Sequence, residues 1–189
     1  MAKRNAVRSR KIVVNPAPTD YHGGMDNFDI DPTAPKAALY AELLTAADAL
    51  TAGEPDGTAN MANISALLWQ FLPGLNWAGF YRMGRNSAGG DELILGPFQG
   101  KAACIRIPLN KGVCGMAAST GEIQCVDDVH AFPGHIACDA DSRSELVAPI
   151  VRDGAVIAVI DLDSPIPSRF DREDSAGLDA MARLLAKRI

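Results

Sequence analysis

Cysteine is scarce in this chain, four in 189 residues, which argues against a framework held together by disulfides. No run of about 18 apolar residues occurs, so no membrane span is expected. The basic N-terminal stretch MAKRNAVRSRKIVVNPAP has no apolar core of its own and does not read as a secretory signal. A cytoplasmic location is therefore expected, where thiols stay reduced and disulfides are transient and catalytic. The sequence contains neither a P-loop nor a G-x-G-x-x-G motif, which removes the common phosphate-binding loops. It has no internal repeat. Positive charge is not in excess either: the net charge of −5 argues against a nucleic-acid role.

What is present is an ordinary globular composition, 48% apolar and 22% charged, over a length that predicts one domain. Residues 1–30 carry five cations followed by turn formers and acids, without apolar periodicity, and read as a flexible basic arm. Residues 31–189 read as a single domain. Leu39, Leu43, Ala47 and Leu50 recur at helical spacing and predict a helix over 33–52. Met61, Ile64, Leu68 and Phe71 predict a second over 58–72, stopped by Pro73-Gly74.

NWAGFYRM then reads as a strand, with Trp77, Gly79 and Tyr81 on one face and a slot between aromatic walls at the glycine. A short strand ELIL leads into GPFQGK, which reads as turn-rich. ACIRIPL reads as a strand with Cys104 and Arg106 on one side and Ile105 and Ile107 on the other. A short helix is expected over 113–119, followed by the strand EIQCVDDV and an irregular loop over 130–144. SELVAPIVRDGAVIAVIDLDSP reads as a hairpin about Asp153-Gly154, and a last amphipathic helix begins near Asp171. Hairpins and short connections of this kind indicate an antiparallel sheet and an α+β class.

All four cysteines fall between residues 104 and 138, a clustering that suits thiol chemistry. Cys114 is expected in the first turn of a helix, where amide donors and the helix dipole lower a thiol pKa. Around Cys138 the charges oppose one another: Asp139 and Asp141 raise its pKa, while His135 and Arg143 lower it. Cys125 and Cys138 with His130 and His135 offer metal-ligand types, but their spacing is not that of a common zinc module, and no metal is expected.

Glu145, Asp161 and Asp163 sit in or beside apolar strands, where charge is costly unless it is paired or used. Period two places Asp161 and Asp163 on one face. The position of Glu145 depends on the hairpin loop. A two-residue loop at 153–154 pairs it with Leu162 and sends it to the opposite face. A three-residue loop pairs it with Asp161 and gathers all three acids. Gathered, they could not all stay ionised, and one would hold a proton near neutral pH for use as a general acid. A solvated strand end fits the spacing equally well.

The motifs NWAGFYR, LGPFQGKAACIRIP, KGVCG, DVHAFPGHIACDADSRSE and VIDLDSP, taken in order, resemble the GAF-domain free methionine-(R)-sulfoxide reductases over about residues 35–189. The resemblance implies a central antiparallel sheet of about six strands flanked by helices, usually in a homodimer. It implies reduction of free methionine (R)-sulfoxide, regeneration by thioredoxin, and no metal or organic cofactor.

By the same resemblance Cys138 is the nucleophile, Cys104 the resolving cysteine and Cys114 an auxiliary thiol. Trp77 and Tyr81 line the substrate pocket, while Glu145, Asp161 and Asp163 bind the ammonium group or protonate the departing oxygen. Cys125 lies outside the family thiols and is expected in a buried, inert strand position. The alternative is a non-catalytic GAF sensor that binds a small ligand or signals by thiol oxidation.

Overall fold

The computed structural model of this chain describes residues 28–134 and 139–189. Cys138, His135 and the arm through residue 27 lie outside the described residues.

Two helices open the described chain, α1 (Lys36–Thr51) and α2 (Gly57–Phe71). Asp56 caps α2 by accepting the amides of Thr58 and Ala59. Six strands follow: β1 (Trp77–Arg85), β2 (Asp91–Gly100), β3 (Arg106–Pro108), β4 (Gln124–Val126), β5 (Ser144–Arg152) and β6 (Ala155–Ser164). Helix α3 (Gly112–Thr120) lies between β3 and β4, a single 3₁₀ turn (Val129–Ala131) follows β4, and α4 (Arg172–Leu185) closes the fold. The strands form one antiparallel sheet in the order β3-β2-β1-β6-β5-β4. The α+β class and the six-stranded antiparallel sheet are as expected. Among the described residues no helix is long and apolar enough to cross a membrane.

Alternation along the central strands assigns the sheet two different faces. Ala78, Phe80, Leu146, Ala148, Ile160 and Leu162 point to one side, where they pack with Leu43, Ile64, Leu68, Leu178 and Met181 of α1, α2 and α4. This is the main core. Trp77, Tyr81, Val147 and Val159 point to the other side, against Val113, Cys114 and Ala117 of α3. Asp171 starts α4 with a capping box that it shares with Asp174. Asp174 is itself buried, accepts from Tyr40 at 3.1 Å, and pairs with Lys36 of α1 and with Arg169.

The stretch GPFQGK is not a turn. It continues β2 to Gly100, and the ladder shifts register between Gly79 and Tyr81, opposite Gly96 and Pro97. Proline has no amide to give a regular ladder, and a bulge is one of the few places a sheet accommodates it. The strand expected over 103–109 is only the three residues of β3. Ile105 is 69% exposed while Ile107 is buried, so the expected common face of the two isoleucines does not form. Cys104 precedes the strand rather than lying in it.

The hairpin resolves differently from both alternatives. Its loop is the two-residue one, with Arg152 opposite Ala155 and positive φ at Asp153 (52°) and Gly154 (80°), as a tight type I′ turn requires. A shift between Ile150 and Val151 then leaves Ile157 without a partner on β5. That single extra residue moves the register, so Glu145 faces Asp163 and Val147 faces Asp161.

Candidate active site

That register brings Glu145, Asp161 and Asp163 to the α3 face of the sheet. β1 adds to the same patch, because Trp77 pairs with Asp163 and Gly79 with Asp161. Trp77 and Tyr81 stack with ring centroids 5.8 Å apart, and both are almost wholly buried. The slot expected at Gly79 is occupied. Phe98, opposite it on β2, lies so close that a Cβ at position 79 would stand 2.3 Å from the Phe98 Cβ. Phe98 also stacks on Trp77 with centroids 5.2 Å apart, which makes three rings in a row. Reading GPFQGK as a turn concealed this third ring, and the only signal for it was the glycine.

A cavity of about 30 Å³ opens over this patch. Trp77, Tyr81, Cys114, Glu145, Asp161 and Asp163 line it, together with Lys101–Ala103, Lys111–Val113, Asp139 and Ser142. The outer wall is held by polar contacts between two loops. Lys101 Nζ pairs with Asp139 at 3.1 Å and Asp141 at 2.5 Å, and Trp77 Nε1 donates to the Lys101 carbonyl at 3.1 Å. Beneath it, Asn76 Nδ2 donates to Asp139 at 3.1 Å and to Ser142 Oγ at 3.0 Å.

The electrostatics follow from enclosure. Burial pushes the Glu145 carboxyl well above the usual range, and its neighbours Asp161 and Asp163 push it further. Burial raises Asp161 to about 7. Asp163 is driven well up by burial and then by Asp161 and Asp139. One or more protons therefore stay on this trio near neutral pH, as a gathered arrangement demands.

Two thiol expectations need correction. Cys114 does lie in the first turn of α3, yet its thiol is pushed well up, first by burial and then by Asp161 and Glu145. The dipole of a nine-residue helix does not offset burial beside acids. Its S–H instead reaches Glu145 Oε1 at 3.9 Å. Cys125 is exposed rather than buried, because β4 is a short edge strand and its thiol points towards the Phe170 carbonyl, 3.7 Å away. Cys114 and Cys125 are free thiols. Cys104 is half-buried, packs at the margin of the α3-side core, and is disulfide-bonded.

Residues 58–189 match the GAF domain family. The chain is 48% identical over 152 residues to the free methionine-R-sulfoxide reductase of Escherichia coli, covering 80% of this chain and 89% of that protein. It is 41% identical over 174 residues to the enzyme of the same name from Saccharomyces cerevisiae, covering 89% and 95%. Among solved structures, the free methionine-R-sulfoxide reductase of Neisseria meningitidis in complex with its substrate superposes with a TM-score of 0.77 at 45% identity. That match covers 82% of this chain and 90% of the other.

Proposed function

Since the chain belongs to the GAF-domain free methionine-R-sulfoxide reductases, we propose that it reduces free methionine (R)-sulfoxide at the cavity between the sheet and α3. The observation that carries this reading is the trio of enclosed acids set beside stacked aromatic rings. A sulfoxide oxygen leaves poorly until it is protonated, and an acid that keeps its proton near pH 7 supplies that proton.

The Cys138 thiolate attacks the sulfoxide sulfur while an acid of the trio protonates the oxygen. Methionine leaves, and the oxygen ends on Cys138 as a sulfenic acid. The Cys104 thiol condenses with that sulfenic acid, expelling water and forming a disulfide, which the dithiol of thioredoxin reduces. Asp139, directly after Cys138, lines the cavity, which supports attack from that side. Trp77 and Tyr81 hold the S-methyl group, and the ionised members of the trio bind the substrate ammonium. Free Cys114, protonated beside Glu145, does not compete as the nucleophile and joins disulfide exchange only afterwards. We place the catalytic domain at residues 31–189, acting as a homodimer in the cytoplasm, with residues 1–30 outside the reaction.

At about 30 Å³ the cavity is far smaller than the ~300 Å³ or more of a typical ligand pocket. Substrate therefore enters when the Lys101 and Asp139–Asp141 wall parts. Lys101 is largely exposed, so its ion pairs are screened and part readily.

The deciding experiment incubates reduced protein with separated (R) and (S) epimers of free methionine sulfoxide and a thioredoxin system. Consumption of the (R) epimer alone is expected. Absence of turnover with fully reduced protein overturns the proposal. Cys138→Ser abolishes methionine release even in a single turnover. Cys104→Ser spares that first turnover and blocks recycling, and loss of the first turnover in Cys104→Ser refutes the assigned roles.

A further inference from the structure

Cys114, Glu145 and Asp161 together have a property that the reductase reading does not use. The Sγ atom and one oxygen from each carboxylate lie within 4.8 Å of one another, and all three residues are buried. Cys114 Sγ and Glu145 Oε1 are 3.9 Å apart. Two ligands of a tetrahedral zinc ion, with Zn–S near 2.3 Å and Zn–O near 2.1 Å, stand about 3.6 Å apart. The Cys114–Glu145 pair thus needs to close by about 0.3 Å, and the pairs that involve Asp161 by no more than about 1.4 Å.

A second observation points to a missing ligand. Asp161 Oδ1 is buried and has no hydrogen-bond partner, on a side chain only 5% exposed. A buried carboxylate oxygen left unpaired is costly unless something positive meets it. The size of the cavity agrees. About 30 Å³ is too small for an amino acid but holds one or two water-sized species, which is what a cation and its remaining water need.

We propose that Cys114, Glu145 and Asp161 form a site for a thiophilic divalent cation such as Zn²⁺, seated in the closed cavity. The donor set fits that chemistry: one thiolate and two carboxylates suit a borderline-soft ion and leave a fourth position for water. Binding is a ligand exchange without redox change. The Cys114 S–H bond and any O–H bond on Glu145 or Asp161 break, their protons go to solvent, and bonds form from the cation to sulfur and to the two carboxylate oxygens. The cation relieves the crowding of negative charge that otherwise keeps these groups protonated. The pocket is the one assigned to the sulfoxide, so on that reading the cation excludes the substrate.

The test uses the full chain carrying Cys104→Ser, Cys125→Ser and Cys138→Ser, so that Cys114 is its one thiol. Titration with Co²⁺ should yield one ion per chain, a thiolate-to-cobalt charge-transfer band, proton release, and loss of the band on adding Zn²⁺. Adding Cys114→Ser should remove the band, and Glu145→Gln or Asp161→Asn should weaken binding at least about tenfold. No band, or a band that survives Cys114→Ser in a folded protein, overturns the site. In wild type, Zn²⁺ should raise the apparent KM for the sulfoxide. Binding of Co²⁺ without that competition would refute the substrate position and leave the cation site standing.

Discussion

Glu145 owes its chemistry to the residue it faces. Opposite Asp163 and in contact with Cys114, it cannot ionise without adding charge to a closed, already acidic space. Replacing it with glutamine keeps the shape and removes a carboxyl, so Glu145→Gln should lower kcat/KM by about 10²–10⁴-fold, the usual reach of acid–base catalysis. A rapid-quench assay of single-turnover methionine release checks this. The pH profile belongs to the same scale. With Asp161 raised to about 7, the trio gives up a proton to solvent as pH rises through neutrality, and the rate of the first step should fall there. A rate that stays level from pH 6 to 8.5 would remove the trio from proton donation. At Gly79 the constraint is steric. Gly79→Ala meets Phe98 and should cost about 1–3 kcal/mol, read from the urea midpoint.

At the scale of elements, the β5–β6 hairpin decides the site. Its two-residue turn alone would turn Glu145 away from Asp161, and the extra Ile157 restores the shared face. The gathered acids then act on stability with a definite sign. Their pKa values are raised in the folded state, so the fold holds more protons than the unfolded chain from about pH 4 upwards. Stability from this source is complete below the unfolded values and declines as pH rises towards the folded ones. Asp161→Asn should therefore be more stable than wild type at pH 8 and show no advantage at pH 4, by thermal melts at both. The other helix–sheet layer follows plain periodicity, since the stripe predicted for α2 is buried, and so is that for α1 except at its half-buried last member, Leu50.

Across the whole molecule, Asp174 ties the first helix to the last. It receives Lys36 and Tyr40 from α1 and Arg169 from the loop before α4. Asp174→Ala would leave two cations around an enclosed hole and should cost about 3 kcal/mol, the lower end for a buried pair because Lys36 keeps some solvent. Chemical denaturation measures this, and a change under 1 kcal/mol would show that the network does not carry the contact. The two-faced sheet also separates duties: one face builds the main core with three helices, and the other keeps a small helix over a polar cavity.

The sequence by itself determined the helices, most of the strands, the antiparallel class and the identity of the acids and aromatics, because these follow from periodicity and turn chemistry within a few residues. It also carried the family through motifs in order. Only the tertiary structure decided the face of Glu145, because one bulged residue inverts a strand's sidedness without leaving a mark on its composition. Tertiary structure likewise decided the state of the Cys114 thiol. A helix-start position argues for a low pKa, but enclosure beside Asp161 and Glu145 outweighs the dipole, and such enclosure is made by residues 31 and 47 positions away in the chain. It decided Cys125 as well, since edge or interior is a property of the sheet order and not of the three residues of the strand.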